Sequence, residues 1–91
     1  MRVRFQVHGR VQGVGYRAFA RDIARSLGLA GWVANAWDGT VIGVAEGGEA
    51  DLATFRARLQ EGPSRASVLR VDWEGLDAGE SLPFPFGIRP S

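Results

Sequence analysis

The spacing of apolar residues changes in a definite order along this chain, and that order constrains the fold more than any single residue does. Val3, Phe5 and Val7 alternate with Arg2, Arg4, Gln6 and His8, the two-residue period of a strand covered on one face. Over residues 16–27 the period lengthens. Tyr16, Phe19, Ala20, Ile23, Ala24 and Leu27 share one side of a helix, with Arg17, Arg21, Asp22 and Arg25 toward the other. Gly28 suits the left-handed position that closes a helix. Residues 30–36 read as a second strand and Trp37-Asp38-Gly39 as a hairpin turn, because Asp-Gly between apolar strands tolerates the backbone of a tight reversal. Strand three follows at residues 40–46. It is apolar at both parities through Val41, Ile42, Val44 and Ala45, which predicts an interior strand with both faces largely covered. Gly47 and Gly48 break it, and Leu52, Phe55 and Leu59 then recur at helical spacing over residues 50–60 until Gly62-Pro63 stops the helix. In strand four Leu69, Val71 and Trp73 alternate with Arg70, Asp72 and Glu74. Phe84, Phe86 and Ile88 alternate too, but Pro83 and Pro85 have no N–H for a ladder and demote this last piece to an edge strand.

The order is β-α-β-β-α-β with a short extra strand. A chain of 91 residues has room for one core, so residues 1–91 are expected to form a single domain. Two interlocked right-handed crossovers satisfy the order with a mainly antiparallel sheet, both helices on one face and a short C-terminal edge strand, which is the α+β ferredoxin-like sandwich. That architecture serves many unrelated functions, so function has to be read from particular residues.

Subtraction narrows the chemistry. All eleven basic residues are arginine, cysteine is absent, and there is one histidine. Lysine-based phosphate loops, Schiff-base lysines, thiol nucleophiles and thiolate or histidine-rich metal sites are thereby excluded. No metal and no cofactor is expected. The net charge of +1, with arginines scattered from Arg2 to Arg89, argues against a nucleic-acid footprint. No apolar run approaches the roughly 20 residues that span a bilayer, so no membrane partner is expected. A cytoplasmic monomer is the expectation. His8 ends the first strand as an ordinary surface histidine, and no serine sits in a glycine-flanked nucleophile elbow to complete a triad with it.

Two places stand out. Residues 9–17 place glycines at 9, 13 and 15 between a strand and a helix. Glycine allows positive φ and close backbone approach, so successive N–H groups can turn inward on an anion, and the helix start adds free N–H groups and a positive dipole end. Arg17 would add a permanently charged, bidentate clamp on phosphate oxygens. On spacing alone the same run reads equally as a tight turn followed by a solvated Arg17. Asn35 is a polar amide of the same parity as Val33. It reads either as a turn residue bonded to its own backbone or as a holder of water beside a bound phosphate.

Taken together these residues resemble the acylphosphatase family. The run Gly9-Arg10-Val11-Gln12-Gly13-Val14-Gly15-Tyr16-Arg17 is similar to that family's G-R-V-Q-G-V-x-[FY]-R signature. Gly31-Trp32-Val33-Ala34-Asn35 with Asp38-Gly39-Thr40-Val41 is similar to its second, G-W-V-x-N-x-x-D-G-[ST]-V. Gly62-Pro63 with Ala66 and Val68, and the ending Phe86-Gly87-Ile88-Arg89, extend the likeness over essentially the whole chain. The resemblance implies metal-free hydrolysis of acyl phosphates to a carboxylate and inorganic phosphate. It assigns phosphate binding to Arg17 and to the backbone of Gln12, Gly13, Val14, Gly15 and Tyr16, and orientation of the attacking water to Asn35. It also implies that the substrate's own phosphate takes the proton from that water. Tyr16 stands where phenylalanine is more frequent, and Ala34 where a polar or basic residue is common, which leaves contacts at the rim open.

Two rivals remain at this level. A binding module for small anions or RNA could use the same architecture, although an RNA platform needs aromatic residues exposed on central strands. Strand one offers only Phe5, on its apolar face, and strand three offers none. The second rival is an acylphosphatase-like domain serving carbamoyl-phosphate chemistry inside a large maturation enzyme. The end of the sequence at Ser91, directly after the last strand, favours a stand-alone protein.

Overall fold

Strand and helix succeed one another in the computed structural model, which describes residues 1–90, as the changes of period predict. The elements are β1 (Arg2–Arg10), α1 (Tyr16–Ser26), β2 (Ala30–Asn35), β3 (Val41–Glu46), α2 (Glu49–Glu61), β4 (Ser67–Leu76) and β5 (Gly87–Ile88). The sheet order is β4-β1-β3-β2-β5. All neighbours are antiparallel except β2 and β5, which pair in parallel. No helix among the described residues is long and apolar enough to cross a membrane.

One face of the sheet is covered and the pleat decides which. Val3, Phe5 and Val7 of β1, Val41 and Ala45 of β3 and Val33 of β2 form one buried cluster with Tyr16, Ala20, Ile23 and Ala24 of α1 and with Leu52, Phe55 and Leu59 of α2. Phe55 stands edge-on to Phe5 at 5.6 Å and to Phe86 at 5.9 Å between ring centroids. Gly43, in the centre of β3, makes room for this packing: a Cβ there would collide with the Phe5 ring and the Trp32 carbonyl oxygen. The other face of β3 carries no helix. Ile42 and Val44 are only half-buried there, flanked in register by Gln6 and Ala34 and by Arg4 and Trp32. The expectation of two largely covered faces therefore holds fully for one of them.

Three further details depart from the sequence reading. Leu69 does not share a face with Val71 and Trp73; it is 80% exposed. The register steps from His8↔Arg70 to Gly9↔Val68, so Leu69 is the unpaired residue of a bulge, and Val68 packs against the core in its place. β1 itself runs on through Gly9 and Arg10, because both pair with β4, and the loop proper begins at Val11. The last strand is shorter than its alternation suggests. Phe86 is buried and Phe84 exposed, and only Gly87 and Ile88 join the sheet, after the two prolines have interrupted any longer ladder.

The C-terminal end of α2 is closed by α1. Gly62 N–H donates to the Arg58 carbonyl at 3.0 Å. The next carbonyl, that of Leu59, would look to residue 63, but Pro63 has no N–H. The Tyr16 hydroxyl donates to it instead, at 2.6 Å.

Candidate active site

The loop of residues 11–15 is shaped by two left-handed glycines, Gly13 at φ 74° and Gly15 at φ 82°, a conformation that carries a Cβ only with strain. Gly15 is also the N-cap of α1 and supplies no side-chain cap. The first backbone bond of the helix runs from Phe19 N–H to the Gly15 carbonyl, 3.1 Å, so the N–H groups of Tyr16, Arg17 and Ala18 precede any intrahelical partner. The two helices differ at this end. α2 has Glu49 and Asp51 in its first turn, whereas α1 has no acidic residue there, so its positive dipole end is offset by no carboxylate.

Arg17 lies one residue into α1, half-buried, and is in no ion pair among the described residues. Asn35 ends β2 on the same side of the sheet as Val33, opposite Val41 in the ladder. Its Oδ1 is buried and receives no hydrogen bond from any described residue. Gly13, Gly15, Tyr16 and Arg17 line one cleft of about 210 Å³ together with Asn35. The fold thus brings together a loop and a strand end 18 residues apart, the difference between positions 17 and 35.

Two of the expected loop residues do not line this cleft with their side chains. Val14 packs into the hydrophobic core. The Gln12 amide crosses to the β2–β3 hairpin and donates to the carbonyls of Ala36, at 2.8 Å, and Thr40, at 2.9 Å. It joins the loop to the hairpin that carries Asn35. The hairpin is held from within as well. Ala36 N–H donates to the Thr40 carbonyl and Gly39 N–H to the Ala36 carbonyl, a three-residue loop with Gly39 at φ 91°. The Asp38 carboxylate accepts from the Thr40 hydroxyl, at 2.6 Å, and from its N–H, at 3.1 Å. Those bonds, the hydroxyl first, hold the Asp38 carboxyl below its usual pKa. Gln6 then donates to the Thr40 hydroxyl at 3.1 Å.

The sequence reading did not include Val11, Ala18 and Ile88, which complete the lining. Val11 lies within the first signature run and Ala18 directly follows it, so both could have been suspected on that ground. Ile88 could not, since nothing local ties it to a loop more than 70 positions away. His8 stays outside the cleft: its Nε2 lies 2.9 Å from Asp72 Oδ2 on the uncovered sheet face, and Arg70 Nε donates to the other oxygen at 3.1 Å. These contacts, that of His8 first, keep the Asp72 carboxyl below the usual range. Among the described residues no group of three or more His, Asp or Glu is placed to hold a metal ion.

Fold and cleft together define a ferredoxin-like α+β domain whose first helix opens on a glycine loop facing an arginine and an asparagine. The family model described as acylphosphatase matches residues 3–83. An acylphosphatase of Ralstonia nicotianae is 45% identical over 91 residues, covering all of this chain and 95% of the relative. The crystal structure of an acylphosphatase from Bacillus subtilis superposes with a TM-score of 0.88 at 36% identity, covering 97% of each chain. A full-length HypF in a phosphate- and nucleotide-bound form contains a similar region, with TM-score 0.83 and 30% identity over 97% of this chain but 11% of that one. The chain belongs to the acylphosphatase family.

Proposed function

We propose that the chain hydrolyses the carboxyl–phosphate anhydride of acyl phosphates, with phosphate held by Arg17 and the backbone of residues 12–16 and the attacking water oriented by Asn35. The observation that carries this reading is the buried Oδ1 of Asn35, to which no described residue donates, in the cleft that Arg17 also lines. A buried acceptor without a donor costs about 1–3 kcal/mol. A water donating to it removes that cost and presents its oxygen to the cleft. The phosphate belongs where donors converge: the unpartnered first-turn N–H groups of α1, its dipole end and the guanidinium of Arg17.

In the reaction water oxygen bonds to phosphorus while the bond from phosphorus to the carboxyl oxygen breaks, and the electron pair leaves on the carboxylate. The conjugate acid of that leaving group has a pKa of about 4, so it departs without a general acid. The proton of the water passes to an oxygen of the substrate's own phosphate, and the products are a carboxylate and inorganic phosphate. What remains for the protein is in-line positioning and stabilisation of charge on the equatorial oxygens.

The test compares wild type, Arg17→Ala and Asn35→Ala on a synthetic aroyl phosphate, with inorganic-phosphate binding measured by calorimetry. Arg17→Ala is expected to lose phosphate binding and about 10²–10³-fold in turnover, with an unchanged circular dichroism spectrum. Asn35→Ala is expected to lose turnover while keeping phosphate affinity. Near-normal turnover in Arg17→Ala overturns the assignment, and equal loss of both properties in Asn35→Ala makes that residue a phosphate ligand instead.

A further inference from the structure

Ile88 enters the cleft from an element far removed in sequence from the loop. β5 lies parallel to β2 with Ile88 opposite Val33, and the Arg89 N–H donates to the Val33 carbonyl at 2.8 Å. Ile88 is thereby set two residues from Asn35 along β2. Two arginines fasten this short strand. Arg25 of α1 donates to the Phe86 carbonyl at 2.7 Å, and the Arg89 guanidinium stacks on the Trp32 ring at 4.1 Å.

The remaining lining sorts by what a ligand can touch. Val11 and Tyr16 are almost fully buried, whereas Ile88 is 36% exposed, which makes it the large apolar side chain of the cleft open to contact. Among the described residues of the lining Arg17 is the one with a charged side chain, and on the reading above it is committed to the transferred phosphate. Neither Arg25, whose Nε donates to the Phe86 carbonyl, nor Arg89, stacked on Trp32, is in that lining. An anionic acyl group, such as one with a second carboxylate or phosphate, would face aliphatic carbon where it needs a cation or water. An uncharged apolar acyl group would cover that carbon.

We propose that Ile88 is a specificity-determining residue that selects acyl phosphates with an uncharged, apolar acyl portion over those with a second anionic group. The inference rests on the acyl-phosphate reading of the cleft. Trp37 is the competing candidate, since it sits on the hairpin that carries Asn35 and is 99% exposed, but it does not line the cleft.

The experiment measures kcat/KM for benzoyl, acetyl and succinyl phosphate in wild type, Ile88→Ala, Ile88→Lys and Trp37→Ala. Wild type is expected to prefer benzoyl over succinyl phosphate by about tenfold or more. One methylene in an enclosed pocket is worth about 10–200-fold. For a partly exposed side chain the benzoyl-to-acetyl ratio is therefore expected to fall about three- to tenfold in Ile88→Ala. Ile88→Lys should shift preference toward succinyl phosphate. A wild type that treats benzoyl and succinyl phosphate alike overturns the proposal without recourse to any variant. So does a ratio unchanged in Ile88→Ala, or one moved as far by Trp37→Ala. A wild type that hydrolyses none of the three overturns the acyl-phosphate reading itself and the inference with it.

Discussion

Replacing Tyr16 by phenylalanine isolates one bond on which the closure of α2 depends. The Leu59 carbonyl belongs to the last turn of α2, the residue four positions on is Pro63, and the Tyr16 hydroxyl is the donor that meets it, at 2.6 Å. Tyr16 and Leu59 are both buried, so the orphaned carbonyl would have no ready access to bulk water. Burial also pushes the phenol pKa up, so the hydroxyl remains a donor throughout an ordinary assay range. Losing a net hydrogen bond and leaving its acceptor buried should cost about 1–2 kcal/mol, a little below the full penalty because the phenyl ring itself is easier to bury. For a domain of this size each kcal/mol corresponds to about 4–8 °C in Tm, so Tyr16→Phe should melt about 4–16 °C lower. Thermal unfolding followed by circular dichroism at neutral pH measures this directly. A Tm within about 2 °C of wild type, below the smallest shift expected, would refute the argument and show that the Leu59 carbonyl finds another partner.

Gly43→Ala should destabilise the centre of the sheet, since the added Cβ collides with the Phe5 ring and the Trp32 carbonyl oxygen. Overpacking of this kind costs about 1–3 kcal/mol, and a urea midpoint equal to that of wild type would contradict it. Acid should destabilise the fold through Asp38 and Asp72, whose carboxyls are held below their usual pKa by Thr40 and by His8 and Arg70 respectively. A carboxyl with a lower pKa folded than unfolded adds stability above its unfolded value, about 3.9, and that stability is lost as pH falls through the folded value. Tm should therefore decline below about pH 4, and less steeply in Asp72→Asn; identical profiles in the two proteins would count against this origin. Turnover should withstand excess chelator, and its loss on adding one would contradict the reaction sequence proposed for Arg17 and Asn35.

The elements of this protein were legible in the sequence because burial on one face leaves a local trace. Strand β1 shows it in Val3, Phe5 and Val7, and helix α2 in Leu52, Phe55 and Leu59, all of which lie in the core as their spacing predicts. The loop was legible for a similar reason. Positive φ at Gly13 and Gly15 is a property of single residues, and Arg17 stands two positions after Gly15 in the chain. Contacts between distant segments leave no such trace. Leu69 alternates like a core residue, yet pairing with β1 makes it the surplus position of a bulge, because the count of residues on the opposite strand decides which side chain turns inward. The sequence points to Gln12 through its backbone, whereas tertiary packing sets its side-chain amide against two carbonyls of the hairpin. Sequence order alone could not put Asn35 and Ile88 in the cleft with Arg17. Crossover packing and the parallel register of β5 on β2 bring them there, because proximity across a sheet depends on which strands become neighbours and in what register.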